Sequence, residues 1–265
     1  MLVEKSLIET IYSNRMLIWR LSLAQARDRY SATVLGSAWA IFHPALTLLV
    51  FWFVFEFGLR LPQSGPIPFF LSLIVGLAAW LVFNDGLLTG LNAVTSNSHL
   101  VKKISFPLEI LPIIPVVAAF TVHFFIMALV VVITCVNGYW PGRSIGLIIY
   151  YSGAMAFFIV GLIYLLSALN VFHRDIGHMA SMLIQLCFWL TPIVWSPEVF
   201  SPGVRAVLEY NPMHHIVMGY RDVLLLNNSS LTLASVVRFW IIVLPITTVG
   251  VMLFRRLKYD FADIL

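Results

Sequence analysis

Residues 107–135 read PLEILPIIPVVAAFTVHFFIMALVVVITC, an apolar run with one carboxylate near its start and one histidine in its middle. A hydrocarbon layer of about 30 Å is crossed by about 20 apolar residues of helix, a structure that closes its backbone hydrogen bonds within the segment. This run is long enough to cross a bilayer. Five others, at about 37–59, 67–91, 144–170, 177–195 and 231–254, fill most of the remaining sequence. The chain is 60% hydrophobic and 11% charged, a composition foreign to soluble domains. The expectation is an all-α polytopic membrane protein, with six transmembrane helices in a single transmembrane domain over 1–265. The longest connection, from Trp195 to Leu231, has no room for a catalytic domain.

Residues 1–30 carry Lys5, Arg15, Arg20, Arg27 and Arg29 dispersed among apolar residues, unlike a cleavable signal with its basic cluster and short apolar core. Ile8, Ile11, Tyr12, Ile18 and Trp19 recur at helical spacing, which predicts a helix over about 5–30 lying in the membrane surface. Lys and Arg near span ends are retained on the cytoplasmic side. With the N-terminus inside, that side also holds Lys102, Lys103, Arg174, Arg255, Arg256 and Lys258, eleven of the sixteen basic residues. Arg60, Arg143, Arg205, Arg221 and Arg238 are left outside, and both termini are cytoplasmic. The net charge of +4 is thus a topology signal and does not point to nucleic acid.

Several chemistries lack their residues. None of the lysines, at 5, 102, 103 and 258, follows a glycine, so no Walker A loop is present to cradle a nucleotide phosphate. His-Glu-x-x-His and Gly-x-Ser-x-Gly are absent as well, which removes the motifs of zinc proteases and α/β hydrolases. His173-Arg174-Asp175 occurs without a kinase glycine loop. Cys135 and Cys187 fall in or beside apolar spans and read as packing residues. No cofactor or metal is expected in this chain.

Polar residues inside spans are costly unless they face a bundle interior or an aqueous path. Asn84 and Asp85 lie in the second span, and His43 and His123 lie alone in the first and third; nothing in their spacing pairs them. Glu56 and Arg60 are one helical turn apart at the outer end of the first span and read as an interfacial ion pair. Gly86 and Gly90 form a small-residue step for close helix packing. Pro107, Pro112 and Pro115 bend the start of the third span.

Two connections stand out. The segment Ser96-Asn97-Ser98-His99-Leu100-Val101-Lys102-Lys103-Ile104-Ser105-Phe106-Pro107 mixes apolar and basic residues on the cytoplasmic side, and fits either a short helix presented to a partner or a loop anchored to lipid headgroups. The outer connection 196–228 contains Pro197, Pro202, Gly203 and Pro212 between apolar pieces too short to span. Short re-entrant helices and an amphipathic surface hairpin both fit there.

The residues also carry a resemblance. The run Arg27-x-x-Tyr30-x-x-x-x-Leu35-Gly36-x-x-Trp39-x-x-x-x-Pro44, the element Phe106-Pro107-Leu108-Glu109-Ile110-Leu111-Pro112, His173-Arg174-Asp175-Ile176, Thr191-Pro192-Ile193, Tyr210-Asn211-Pro212-Met213 and Phe261-Ala262-Asp263 resemble the membrane subunit of bacterial ABC exporters for polysaccharides such as O-antigen, capsule and teichoic acid. The likeness covers the whole chain in order. It implies a permease in the inner membrane, working as a homodimer with two copies of a cytoplasmic ATPase that binds ATP and Mg, and exporting a lipid-linked polysaccharide. It further implies an N-terminal interfacial helix over 5–30, a coupling helix at about 98–106 and outer gate helices at about 197–225.

On that resemblance, Ser98, His99, Lys102, Lys103, Ile104 and Phe106 are the expected contacts to the ATPase. Arg27, Arg29 and Tyr30 are candidates for the lipid phosphate, since guanidinium groups bind phosphate bidentately; retention of positive charge explains the same arginines. Aromatic rings stack on sugar faces, which nominates Trp39, Phe42, Phe51, Trp52 and Phe55 in the first span and Phe188, Trp189 and Trp195 in the fifth as path residues. Glu198, Arg205, Asn211, Pro212 and His214 are the expected outer gate. The alternatives are a secondary transporter or a flippase of polyprenyl-linked glycolipid working without an ATPase, which needs a midplane ion or substrate site, and an intramembrane enzyme, for which His43, Asp85 and His123 form no evident cluster.

Overall fold

The protein, described by a computed structural model over residues 6–28, 33–58, 67–103, 106–226 and 231–265, is helical throughout its regular structure. Arg29, Tyr30, Arg60 and Ile104 lie outside the described residues. In chain order the helices are α1 (Leu7–Ser13), α2 (Arg15–Asp28), α3 (Trp39–Phe53), α4 (Phe69–Leu91), α5 (Ser98–Val101), α6 (Ile113–Val136), α7 (Leu147–Phe172), α8 (Asp175–Leu190), α9 (Pro202–Leu208), α10 (Pro212–Arg221), α11 (Leu233–Leu257) and α12 (Phe261–Ile264). Among the described residues four segments, Phe69–Leu91, Leu108–Val136, Arg143–Phe172 and Leu233–Leu257, are long and apolar enough to cross a membrane. The other two long apolar stretches are shorter helices: α3, extended by a π turn over Val54–Gly58, and α8, of 16 residues.

The boundaries follow local chemistry. The expected N-terminal helix is two helices, because Asn14 ends α1 by donating from Nδ2 to the Thr10 carbonyl at 2.8 Å. The chain reaches α6 through a 3₁₀ turn over Leu108–Ile110, and Pro115 falls in the first turn of α6, where a missing amide donor costs nothing. The fifth apolar stretch stops at Leu190 rather than 195, because Pro192 disfavours helical backbone at Thr191. The expected helix over 98–106 is limited to Ser98–Val101; Pro107 works against helix at its far end in the same way.

The core is built around α4, whose Leu71, Leu73, Val75, Ala78 and Ala79 have essentially no exposure. It packs on α6, α7 and α10, while Ile18, Val101, Leu111, Tyr164, Phe254 and Phe261 form a second apolar cluster joining α2, α5, α7, α11 and α12. Gly86 faces Ala119 and Ile159, and Gly90 faces Ile163, so the small-residue step does bring α4 onto its neighbours.

α7 and α11 approach backbone to backbone. A Cβ on Gly250 would stand 2.5 Å from the Gly161 carbonyl oxygen and 3.0 Å from the Leu165 nitrogen, both backbone atoms that cannot rotate away. Backbone contact of this kind is how helices gain packing energy where lipid removes the hydrophobic drive. Gly250→Val is expected to cost roughly 1–3 kcal/mol by overpacking and to lower the thermal unfolding midpoint in detergent. Gly153→Ala, in open space on α7, is expected to leave that midpoint unchanged or raise it.

Candidate functional site

Several groups of polar or aromatic residues stand out, beginning at the end of the bundle that carries α5. Ser98 is half-buried, while His99, Lys102 and Lys103 are exposed, and Phe106 packs against the second apolar cluster. The segment is thus seated through Val101 and Phe106 and offers its basic side chains outward. Beside it a groove of about 890 Å³ runs between Ser96, Ser98, Asn170, Arg174 and His178. Asn170 closes the inner wall by donating from Nδ2 to the Leu91 carbonyl at 3.3 Å and Asn92 Oδ1 at 3.2 Å.

Behind this segment sits Glu109, 5% exposed. Its Oε1 accepts hydrogen bonds from Arg255 Nε at 3.0 Å and Lys258 Nζ at 2.8 Å, and the Tyr164 hydroxyl donates to its backbone carbonyl at 2.5 Å. Glu109 therefore ties the turn before α6 to α7 through its backbone carbonyl and to the end of α11 through its carboxylate. Arg255 and Lys258 are more than a topology signal. A carboxylate among three prolines, Pro107, Pro112 and Pro115, was the sequence hint that pointed here.

Candidate path residues divide into two kinds. Phe42 and Trp189 are exposed, at 57% and 60%. Phe51, Trp52, Phe55, Phe188 and Trp195 are half-buried in a ladder of rings: Phe55 meets Phe69 at 5.5 Å and Phe51 at 6.2 Å, Phe51 meets Phe188 at 6.1 Å, and Phe188 meets Trp80 at 5.4 Å. Trp52 packs on Phe70 at 5.5 Å, and Trp195 donates from Nε1 to the Trp189 carbonyl at 2.9 Å. Trp39 is half-buried at the start of α3. The outward faces of α3 and α8 remain apolar and uncovered, through Leu46, Leu49 and Phe53 on one and Met182, Leu183 and Leu186 on the other.

At the far end of the bundle, Glu198 and Arg205 are exposed on the rim of a cavity of about 450 Å³ that also reaches Phe200 and Glu209. Glu209 pairs with Arg238 and, at 3.7 Å, with Arg205. Asn211 caps α10 by accepting from the Met213 amide at 3.0 Å and donates from Nδ2 to Thr191 Oγ1 at 2.9 Å, so two of the sequence motifs meet in one joint. Pro212 opens α10, and His214 is half-buried with no hydrogen bond to Nε2 among the described residues.

α10 is itself largely buried through Met213, Ile216, Val217 and Tyr220, and it carries Arg221 in with it. From sequence this side chain was one of the basic residues left outside, within the expected outer gate helices at about 197–225; it is 8% exposed. It donates from Nε to the Ser72 carbonyl at 3.0 Å and from Nη2 to the Ile193 carbonyl at 2.8 Å. One guanidinium thereby holds α10 to α4 and to the chain leaving α8. Gly76 leaves it room, since a Cβ there would stand 3.2 Å from Nη2. Next to it the Tyr220 hydroxyl shares hydrogen bonds with Ser152 Oγ at 2.6 Å and His123 Nε2 at 3.1 Å. An arginine inside the apolar run Ile216–Leu226 was the available signal.

The in-span polar residues, unpaired by spacing, are gathered by the fold. Gln25 of α2, His43 of α3, Asn84, Asp85 and Thr89 of α4 and His123 of α6 line one chamber of about 120 Å³. Arg27 lies two residues beyond Gln25 and is exposed.

Comparison with known proteins gives a consistent picture. Residues 15–225 match the family model described as ABC-2 type transporter. Two Klebsiella pneumoniae proteins, each described as O-antigen export system permease protein RfbA, are similar to this chain. One is 29% identical over 247 residues and the other 28% over 240, each match covering 89% of this chain and 90% of the relative. A Myxococcus xanthus protein with the same description is 29% identical over 220 residues, covering 82% of this chain and 83% of the relative.

Arg221→Leu is expected to remove both bonds that seat α10 and to destabilise the protein by about 3 kcal/mol. The check is thermal unfolding in detergent, with the exposed Arg205→Leu as a near-neutral comparison. Glu109→Ala leaves Arg255 and Lys258 without their shared carboxylate and is expected to cost about 2–3 kcal/mol, while Glu109→Gln, which keeps one acceptor, loses less.

Proposed function

The chain belongs to the ABC-2 type transporter family, and on that premise we propose that it is the membrane subunit of an ATP-driven exporter of lipid-linked polysaccharide in the bacterial inner membrane. The observation that carries this reading is similarity over nearly the full chain to three proteins described as O-antigen export system permeases. Members of this family are transport subunits whose ATPase is a separate partner, and the chain has no Gly-Lys step for a phosphate loop of its own. ATP and Mg belong to that partner.

In this reading α3 with its π turn and α8 also cross the membrane, giving six spans with both termini cytoplasmic by the distribution of Lys and Arg. Two copies of the chain meet across the uncovered faces of α3 and α8. Separation of those faces opens a path along which exposed rings such as Phe42 and Trp189 stack on successive sugars without fixing them. The half-buried ladder Phe69, Phe55, Phe51, Phe188 and Trp80 lets α3 and α8 tilt against α4 while remaining packed. Arg27, with Arg29 and Tyr30, takes the phosphate of the lipid carrier at the cytoplasmic surface. α9 and α10, with Glu198, Arg205, Asn211, Pro212 and His214, close the outer end.

Two copies of the ATPase dock on the segment Ser98–Phe106. Its exposed His99, Lys102 and Lys103 suit an acidic cleft, and its buried Val101 passes the push inward to Glu109 and the bundle. Purification of the tagged chain from native membranes in mild detergent is expected to recover an ATP-binding subunit in stoichiometric amount with ATPase activity. A chain recovered alone under several gentle detergents, and transporting by itself, favours the autonomous carrier. Charge reversal at Lys102 and Lys103 is expected to reduce glycan export several-fold with normal membrane insertion; unchanged export places the docking elsewhere.

A further inference from the structure

Between α2, α6 and α7 lies a groove of about 530 Å³, walled by Trp19 of α2, by Val117, Phe120, Phe124 and Phe125 of α6 and by Ala156 of α7. The hydroxyl in its wall, on Thr121, donates to the Val117 carbonyl of its own helix at 2.9 Å, so the groove offers little to a ligand that must be hydrogen-bonded. Phe124 and Phe125 are 73% and 55% exposed, a surface suited to hydrocarbon rather than water. Among the described residues none from α3 or α8 lines the groove, which sets it apart from the faces assigned to the path.

Its length matches one leaflet. From Val116 to Phe125 the groove follows α6 for about 14 Å at a helical rise of about 1.5 Å per residue, half of a hydrocarbon layer of about 30 Å. It starts where α2 crosses the first turn of α6: Ser22 donates from Oγ to the Ile114 carbonyl at 3.0 Å, and Ile18, one turn earlier, is buried in the second apolar cluster. Trp19, on the crossing helix, therefore marks the end of the groove nearest the membrane surface, the depth at which an indole with an apolar body and one N–H settles.

Positive charge gathers at that end. Arg15 precedes Trp19 by one helical turn and so shares its face, Arg20 follows it directly, and both are exposed. The Arg15 guanidinium lies over the Tyr12 ring at 4.6 Å and donates from Nη1 to the Tyr12 carbonyl at 3.1 Å, which holds it in place and leaves its other N–H groups for an anion. No carboxylate occurs between Glu9 and Asp28 to compete.

We propose that this groove holds one acyl chain of an anionic membrane phospholipid whose phosphate lies on Arg15 and Arg20. A single acyl chain fills the depth of one leaflet, whereas a longer polyprenyl chain runs past the end of the groove. The lipid covers Trp19 and Phe120 and keeps α2 seated on α6, so it is a fixed part of the folded subunit and not its cargo. The inference needs only that the chain lies in a bilayer, and it stands whether or not the exporter reading does. Each arginine at a membrane surface favours an anionic headgroup by about fivefold.

The test uses the full chain, purified in detergent and stripped of lipid, with phosphatidylglycerol and phosphatidylethanolamine that each carry a diazirine in one of otherwise identical acyl chains. Photolabelling by phosphatidylglycerol is expected to concentrate on Trp19 and residues 116–125, about tenfold above labelling there by phosphatidylethanolamine. Arg15→Gln combined with Arg20→Gln is expected to bring that ratio toward one. Ala156→Phe, which fills the groove, is expected to remove label from 116–125 while sparing α11, whose exposed Ile241 and Met252 report general lipid contact. If Ala156→Phe lowers the thermal midpoint measured without lipid, Thr121→Phe replaces it. Labelling of 116–125 no stronger than that of α11 overturns the proposal, as does equal labelling by the two probes or label that persists in the filled groove. Stronger labelling at 116–125 by a diazirine-bearing polyprenyl phosphate than by phosphatidylglycerol also overturns it, since the groove then belongs to the carrier.

Discussion

A guanidinium removed from water must be given carbonyls by the protein around it, and Arg221 is where this chain meets that demand. Its bonds to the Ser72 and Ile193 carbonyls hold the short helix α10 among longer ones. Helices of ten residues do not span a bilayer, and the broken backbone around them survives at depth only when buried in protein. Arg221 satisfies two such backbone acceptors, Asn211 and Thr191 satisfy the turn at the other end of α10, and Tyr220 joins α10 to α6 and α7 through His123 and Ser152. The joint around α10 is thus held by side-chain hydrogen bonds as well as by its buried apolar residues.

The rest of the molecule divides around this joint. α4, α6, α7, α10 and α11 form the packed body, with backbone contact at Gly161 and Gly250 and a charge cluster at Glu109 securing the end near α5. α3 and α8 lie against that body on one side through rings and expose apolar residues on the other. The described residues thus form a packed body flanked by two half-covered helices. His123 lines the polar chamber and, through Tyr220, bonds α10, so the chamber and the joint around α10 share a residue.

Much of the architecture was legible because hydropathy sums along the chain. The long apolar stretches emerged as helices within a few residues of their expected ends, and the discrepancies arose where a local signal was underweighted. Pro192 cut the fifth stretch short, Pro107 opposed helix at the far end of the segment 98–106, and Asn14 broke the N-terminal helix. The resemblance of the Arg27, Phe106 and Tyr210 motifs to polysaccharide exporters agreed with the family found by comparison. The division of aromatic residues into exposed Phe42 and Trp189 and half-buried Phe51 and Phe188 was not legible, because alternate faces of a helix in a Phe-rich chain look alike until a neighbour covers one.

By itself the sequence determined that this chain belongs in a membrane, where its long helices run and which family it joins, because each follows from the order and type of neighbouring residues. The tertiary structure alone decided that Arg221 is buried against Ser72 and Ile193, that Glu109 holds Arg255 and Lys258, and that Gln25, His43, Asn84, Asp85 and His123 share one chamber. Those outcomes require partners from segments up to about 150 residues apart, as with Arg221 and Ser72 or Glu109 and Lys258. Helix packing sets such distances, and no local pattern in the chain encodes them.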